Sequence, residues 1–388
     1  MQPIYLDNAA TSWPKPAGVA DAVSNWITHV GANPGRSGHR LSATAARINY
    51  DTRELLARLL GVADSRQIIF TLNATFALNT VISGFVRPGD HVVTTSMEHN
   101  SVMRPLRRLA DTGRVQVTIV DGDADGRTDP ERLAAALTDQ TRLVIVNHAS
   151  NVVGTLAPLR EIRAAIGDVP LLVDGAQTAG VVPIDVAADG IDMLACAGHK
   201  GLLGPTGTGC LYISPKLTRE VQPLMLGGTG SNSESDEQPE ALPDHFESGT
   251  LNAAGIAGLG VGVKYILERG VAAIRAHELE LTRRLLDGLA AIPGVTQYGP
   301  ADPAGRVATV SINIAGLTPS EVGFALDREH NVMSRVGLHC APMAHRTIGT
   351  FPDGTVRLGA CALTTEADID AGLAAVRAIA QGARHARS

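Results

Sequence analysis

The sequence predicts an α/β protein: a mostly parallel sheet with helices on both faces, joined to a smaller α+β domain. Two observations carry this. Through the first two thirds of the chain, short β-branched or apolar runs alternate with longer stretches of helical periodicity, the pattern of strands and crossover helices. From about residue 254 that alternation gives way to long Ala/Leu/Arg helices with isolated strand-like runs. In order, the strand candidates are "IIF" (68–70), "HVVTT" (91–95), "VQVTIV" (115–120), "RLVIVN" (142–147), "PLLVD" (170–174), "DMLAC" (192–196) and "GCLYI" (209–213), enough for a seven-stranded sheet. Between them, Ile48, Leu55, Leu56, Leu59 and Leu60 recur at helical spacing, and "DPERLAAAL" and "LREIRAAI" behave alike. Helices are expected over roughly 254–268 and 271–291, then a strand in "VATVSINI", a helix in "PSEVGFALDREH", a strand in "TVRLG" and a last helix near 365–382. The polar stretch "GGTGSNSESDEQPEALPD" (227–244) reads as a long loop. The expected division is an N-terminal segment, 1–14, that joins the small domain; a large α/β domain, 15–253; and linking helices with the small domain, 254–388.

Composition narrows the function. With 388 residues, 44% hydrophobic and 19% charged, the chain can bury a sizeable core in about two domains. A formal charge of −6 and the lack of any long Lys/Arg block argue against a nucleic-acid partner and in favour of metabolites. The start, "MQPIYLDNAATSWPKP", has neither a basic opening nor an apolar core, and no run approaches about 20 apolar residues, so a cytoplasmic location without membrane contact is expected. Cys196, Cys210, Cys340 and Cys361 are widely spaced with no CxxC pair, which argues against a disulfide framework and a zinc site.

The chemistry centres on "LACAGHKGLLGPTGTGCLYI" (194–213). A phosphate loop of the Walker kind ends in lysine and a hydroxyl residue at the start of a helix; here Lys200 comes first and the glycines lead through Pro205 into a strand. Glycines beside a lysine also give a flat cofactor close access, as a Schiff-base lysine requires. A pyridoxal-phosphate site further needs an acid for the ring nitrogen. Asp174 stands at the end of an apolar strand, where ligands of α/β sheets collect, with Gln177 three residues on. Asn73, Ala74 and Thr75 follow a strand and open a helical pattern, a ready anion site, and His99 in "SMEHNSV" follows another strand, where its ring can stack on a planar group. Taken singly, these are also a strand-end turn, a helix cap and a surface histidine.

Together the motifs resemble the class V aminotransferase group of fold-type I pyridoxal-phosphate enzymes, specifically group II cysteine desulfurases and selenocysteine lyases. The resemblance runs through "YLDNAAT" (5–11), "RSGHRLS" (36–42), "EHNSV" (98–102), "SNVVGT" (150–155), "DGAQTAG" (174–180), "GHKGLLGPTGTG" (198–209), "FESGTLN" (246–252) and "RVGLHCAP" (335–342). It implies that Lys200 binds the cofactor covalently, that Asp174 pairs with the pyridinium nitrogen, Gln177 with the ring hydroxyl, and that His99 stacks on the ring. It gives Ala74, Thr75 and His199 to the phosphate, together with Thr250 of a neighbouring subunit, and so implies a homodimer with shared active sites. One position departs from the pattern: the family usually has Ser or Thr before "GHK", whereas this chain has Ala197. One hydrogen bond to a charged group is worth about 1.5–3 kcal/mol, so weaker cofactor affinity is expected.

The resemblance places the reaction at Cys340 in "SRVGLHCAPMAHRTIGT", a turn rich in neighbouring basic residues that favour a thiolate. Such a thiolate can take the sulfur of L-cysteine as a persulfide, leaving L-alanine, while Lys200 removes and returns the proton at Cα. L-Selenocysteine is an alternative substrate of the same site, and a sulfur or selenium acceptor protein is the expected partner. Arg357 in "GTVRLGA", at the end of a small-domain strand, is implied as the carboxylate ligand, with Asn151 as its partner. Arg36 and His39 in "RSGHRLS" are further substrate contacts, and Arg335 a supporting or subunit contact. Cys210 and Cys361 read as small buried thiols. The alternatives are a pyridoxal-phosphate aminotransferase or other C–S lyase, which has no need of Cys340, and a non-catalytic sulfur carrier or scaffold, which has no need of Lys200.

Overall fold

The computed structural model describes residues 3–35 and 37–385. The first half contains β1 (Ile4–Tyr5), α1 (Val19–Asn25), α2 (Arg40–Leu60), β2 (Ile68–Thr71), α3 (Ala74–Phe85), β3 (His91–Thr95), α4 (Asn100–Asp111), β4 (Gln116–Val120), α5 (Pro130–Ala135), β5 (Thr141–Asn147) and α6 (Leu159–Ile166). There follow β6 (Leu171–Asp174), β7 (Met193–Ala197), β8 (Gly209–Ile213), α7 (Ala253–Arg269), α8 (Val271–Ala290), β9 (Val295–Tyr298) and β10 (Thr309–Ile314). The chain closes with α9 (Pro319–His330), β11 (Val332–Met333), β12 (Arg335–Gly337), α10 (Pro342–Thr347), β13 (Thr355–Gly359) and α11 (Glu366–His385).

The seven strands read from the sequence form one sheet in the order β2-β8-β7-β6-β5-β3-β4. β3 to β7 run parallel, and β8 lies antiparallel between β2 and β7. β6, β7 and β8 are buried along their whole length, which is why they read as unbroken apolar runs. Their side chains alternate between two cores: Val144, Val146, Val173 and Leu194 face one layer of helices, and Leu143, Ile145, Leu172 and Met193 face the other. β4, partly exposed, is an edge. The register aligns Asn147 with Asp174 and Asp174 with Ala195, so the carboxyl ends of β5, β6 and β7 finish side by side. The loops leaving such ends are where an α/β sheet gathers its ligands.

A second, antiparallel sheet in the order β12-β13-β10-β9 packs with α8, α9 and α11 around Leu285, Leu289, Val310, Ile312, Val322 and Val376. β1 pairs in parallel with β11, Ile4 opposite Val332, and Asp7 bridges Gly359, so the first residues of the chain lie against its last third. β1, β9, β11 and β12 were not among the expected strands. β1 and β11 have two residues each and β12 three, too few to express a period of two. Residues 214–252, which include the 227–244 stretch, carry no helix or strand. Among the described residues no helix is long and apolar enough to cross a membrane.

Candidate active site

Three loops deliver the principal side chains to one place. Asp174 is the last residue of β6, almost fully buried, and its Oδ1 accepts the Ala176 N–H at 2.9 Å. β7 ends at Ala197 and turns through Gly198, His199 and Lys200. That turn lies so close to its neighbours that a Cβ at Gly198 would come within 2.1 Å of Thr208 Oγ1, and one at Gly201 within 2.5 Å of the Ala179 carbonyl oxygen. The glycines are therefore needed for packing. α3 starts beside the turn: the Asn73 side chain caps it by accepting the Phe76 N–H, and the backbone of Ala74 and Thr75 forms its first turn with the positive end of the helix dipole.

These groups line one cavity, with Asn73, Ala74, Thr75, His99, Ser101, Asn147, Asn151, Asp174, Gln177, Ala197, His199 and Lys200 on its wall. Gln177 is held there by donating from Nε2 to the Ala9 carbonyl at 3.0 Å. His99 caps α4. Its Nδ1 accepts the Ser101 N–H at 3.0 Å, which makes this nitrogen the unprotonated one and leaves the ring neutral with its proton on Nε2. The Ser101 hydroxyl lies 2.8 Å from the same nitrogen and 2.7 Å from Thr75 Oγ1, so His99, Ser101 and Thr75 form a chain. Burial, reinforced by the positive charge of Lys200, pulls His99 down to about 4, and His199 likewise to about 4. Burial also pulls the Lys200 ammonium down to about 8 against the opposing pull of Asp174. Lys200 therefore gives up its proton more readily than an ordinary lysine. Asp174 itself is raised by burial, which the Ala176 N–H and the Lys200 charge offset.

Arg357 lies in the middle of β13 rather than at its end, with only 1% of its surface exposed. Its Nη2 pairs with Asp7 Oδ1 at 2.8 Å, its Nη1 donates to the Asn151 carbonyl at 2.9 Å, and its Nε has no partner. Asn151 in turn donates from Nδ2 to the His339 carbonyl at 2.7 Å, which joins the arginine to the turn that carries Cys340. His339 and Cys340 both adopt left-handed backbone, at φ of 48° and 59°. Two adjacent non-glycine residues in that region are costly, and such strain clusters at functional sites. Cys340 is exposed, its carbonyl accepts the Asn100 N–H at 2.8 Å, and Arg335 Nη2 donates to its Sγ at 3.6 Å. Arg335 is thus a direct neighbour of the thiol. Cys196, Cys210 and Cys361 are buried.

Two expected site residues lie elsewhere in the same chain. His39 is an exposed N-cap of α2 whose Nδ1 is occupied by the Ser42 N–H at 3.2 Å, so it does not reach the cavity. Thr250 accepts from Asn33 Nδ2 at 3.2 Å and is not among the residues that line the Lys200 cavity. Arg36 lies outside the described residues. Conversely, Asp7 and Ser101 line or brace the site without having been singled out. Asp7 carries no local sign of a partner 350 positions away, whereas Ser101, two residues after His99, was legible as a cap partner.

The family model for aminotransferase class-V matches residues 4–371. The chain belongs to the class-V aminotransferase family. Its relatives include a probable cysteine desulfurase of Methanothermobacter thermautotrophicus, 39% identical over 91% of this chain and 89% of that protein. A cysteine desulfurase of Salmonella agona is 34% identical over 87% of this chain and 84% of its own length. Among solved structures, the apo cysteine desulfurase of Thermococcus onnurineus NA1 superposes with a TM-score of 0.91 at 33% identity, covering 98% of this chain and 95% of that one. Class-V aminotransferases are pyridoxal-phosphate enzymes, and the cavity fits that group. The buried His199 Nδ1 and Asn151 Oδ1 have no partner among the described residues, and a helix N-terminus, an acid and a lysine of lowered basicity converge on the same space.

Proposed function

We propose that this class-V family member is a pyridoxal-phosphate-dependent cysteine desulfurase, converting L-cysteine to L-alanine and carrying the sulfur as a persulfide on Cys340. One observation carries the reading. Of four thiols only Cys340 is exposed, and it stands beside His99 and Thr75 at the edge of the cavity that holds Lys200 and Asp174.

When bound, pyridoxal phosphate supplies an electron sink that stabilises charge at the substrate Cα and loosens the Cβ–S bond. Lys200 would hold it covalently. Asp174 would pair with its ring nitrogen, Gln177 with its ring hydroxyl and His99 with its ring face, while Ala74, Thr75 and His199, with Thr250 of a neighbouring subunit, would take the phosphate. Arg357 and Asn151 orient the substrate carboxylate, and the Arg357 Nε without a partner is the free donor for it. Arg36 and His39 belong to this reading only as contributions from the second subunit. Lys200, uncharged in part at neutral pH, removes the Cα proton and returns it. The Cys340 sulfur, as the thiolate, would form the S–S bond as Cβ–S breaks; the electron pair of that bond stays with the carbon fragment, whose Cβ takes a proton to become the alanine methyl, and Arg335 stands beside the attacking sulfur at 3.6 Å. The reading includes a homodimer, a cytoplasmic location, the division at 14 and 253, and L-selenocysteine as a second substrate.

The test is alanine formation by wild type, Lys200→Ala and Cys340→Ala with L-cysteine and a thiol reductant. Lys200→Ala is expected to lose turnover and the visible absorption of the bound cofactor. Cys340→Ala is expected to lose cysteine turnover by 100-fold or more, on the order of the loss of a covalent nucleophile. Full cysteine activity in Cys340→Ala overturns the persulfide assignment.

A further inference from the structure

A groove of about 730 Å³ opens from Cys340, His99 and Thr75 and runs outward between α3 and α4. Its lining contains Arg87, Arg104, Arg108 and Arg114 and no aspartate or glutamate. This is unexpected in a chain of formal charge −6. Arg104 and Arg108 stand one turn apart on the same face of α4. Arg107, which is not part of the lining, is neutralised within the helix by Asp111 at 2.8 Å, whereas Arg104, Arg108 and Arg114 form no ion pair among the described residues. The Arg87 guanidinium touches the Glu220 backbone carbonyl at 3.4 Å, and its backbone N–H donates to Asp90 Oδ2 at 2.7 Å, a carboxylate outside the lining. The opposite wall, on α3, offers the neutral side chains of Asn79 and Ser83. On α4 the two lining arginines stand about 6 Å apart along the helix axis, and Arg87 and Arg114, from the segments after α3 and α4, add two more positive charges to the lining.

We infer that this groove is the docking surface for an acidic, thiol-bearing polypeptide segment that receives sulfur from Cys340. The inference rests on the proposed persulfide role of Cys340. Unpaired arginines along a groove select carboxylates and steer an anionic partner toward the thiol. A second copy of this chain docking through the same groove about a two-fold axis would set these arginines against each other. A small dicarboxylate thiol carries too few carboxylates to pair with four arginines. The transfer balances without an oxidant: the acceptor thiolate attacks the outer sulfur of Cys340–S–SH, the acceptor S–S bond forms, the bond to Cys340 Sγ breaks, and Cys340 leaves as the thiolate. The proton released by the acceptor thiol ends on Cys340 or in solvent.

The experiment uses holoenzyme and two synthetic peptides of equal length, each with one cysteine and a spacer, followed by six glutamates or six lysines. Dithiothreitol is the uncharged thiol. The peptide persulfide is measured by mass spectrometry after confirming that L-cysteine has charged Cys340. The glutamate peptide is expected to react faster than the lysine peptide by about tenfold or more at low salt, with the difference collapsing near 1 M, where the Debye length is about 3 Å. Arg108→Glu with Arg114→Glu, both remote from Cys340, is expected to abolish or invert the preference while alanine formation with dithiothreitol stays unchanged. Equal rates for the two peptides, or a preference surviving the double substitution, overturns the docking surface. So does a change of oligomeric state in the double variant, which makes the groove a self-interface, or stronger inhibition by a single-stranded oligonucleotide than by a thiol-free glutamate peptide. Absence of persulfide on Cys340 before any peptide is added overturns the underlying sulfur-carrier role and the inference with it, a result distinct from persulfide present but delivered without charge preference.

Discussion

Substituting Arg357 separates recognition from architecture. In Arg357→Lys the side chain stays cationic, and the ammonium can keep one contact to Asp7, but the planar fork that also meets the Asn151 carbonyl and leaves Nε free for substrate is gone. Losing one charge-assisted hydrogen bond to the substrate carboxylate costs about 1.5–3 kcal/mol, or roughly 10- to 150-fold in kcat/KM, expressed mainly as a raised KM for L-cysteine. Arg357→Met goes further, leaving the Asp7 carboxylate and the Asn151 carbonyl without their partner. Breaking a buried pair costs about 3–5 kcal/mol, and because the Asp7 side chain keeps 21% of its exposure, the lower end of that range applies. Alanine formation across a range of L-cysteine concentrations measures the first effect, and urea unfolding of the same preparations measures the second. An unchanged KM in Arg357→Lys, with the stability loss of Arg357→Met still present, would refute the carboxylate role and leave the arginine as a structural tie between β13 and the N-terminal segment.

Three further outcomes follow from the same contacts. Ala197→Ser restores a hydroxyl on the cavity wall and should tighten pyridoxal-phosphate binding by roughly tenfold or more, read by equilibrium dialysis of the apoprotein; no change means that Ser101 and Thr75 already satisfy the phosphate. His148, buried with Nδ1 unpaired, is held down to about 4, so its contribution to stability is complete above pH 6.5 and is lost as pH falls from there toward 4, at up to about 1.4 kcal/mol per pH unit. His148→Gln should flatten the pH dependence of the urea midpoint in that window, whatever its effect at pH 7. Glu98 has the opposite sign. Burial lifts it to about 8, so its contribution is complete below pH 4.5 and is lost as pH rises toward 8; Glu98→Gln, which keeps an acceptor for the Thr95 hydroxyl and the Asn147 N–H, should gain stability relative to wild type between pH 6 and pH 8.5.

The main sheet was legible because its strands are buried on both faces and bounded by helices of clear period; "TVRLG" and "PSEVGFALDREH" match β13 and α9 residue for residue. The short pairings were not legible: β1 with β11 depends on residues 328 positions apart meeting in register, and two-residue strands carry no pattern. The same contrast holds at the site. Lys200, Asp174, Gln177 and His99 lie at strand ends or helix starts, positions that local sequence marks. Asp7 is an acid in an ordinary turn until the fold sets it 2.8 Å from Arg357. A histidine before a helix reads equally as a ligand or as a cap, and in its own chain the Ser42 N–H holds His39 as a cap.

The placement of Asp7 has a wider consequence. Between Asp7 and Lys15 the chain touches several parts of the site: Asp7 holds Arg357, the Ala9 carbonyl holds Gln177, and Asn8 donates to the Gly359 carbonyl at 2.9 Å. The Ser12 hydroxyl donates to the Lys200 carbonyl at 2.9 Å, and the Lys15 ammonium to the His199 carbonyl at 2.9 Å. All of these bonds at the lysine turn end on backbone carbonyls. They fix where the turn stands and do not involve the Lys200 amine, which suits the covalent and proton-carrying role proposed for it. Cys340 is placed under the opposite constraint. It is exposed on a left-handed turn, faces Arg335 at 3.6 Å, and borders both the catalytic centre and the arginine groove. In the proposed reaction Lys200 works at one fixed site whereas Cys340 meets two partners in succession, so a rigid anchor suits Lys200 and an open side suits Cys340.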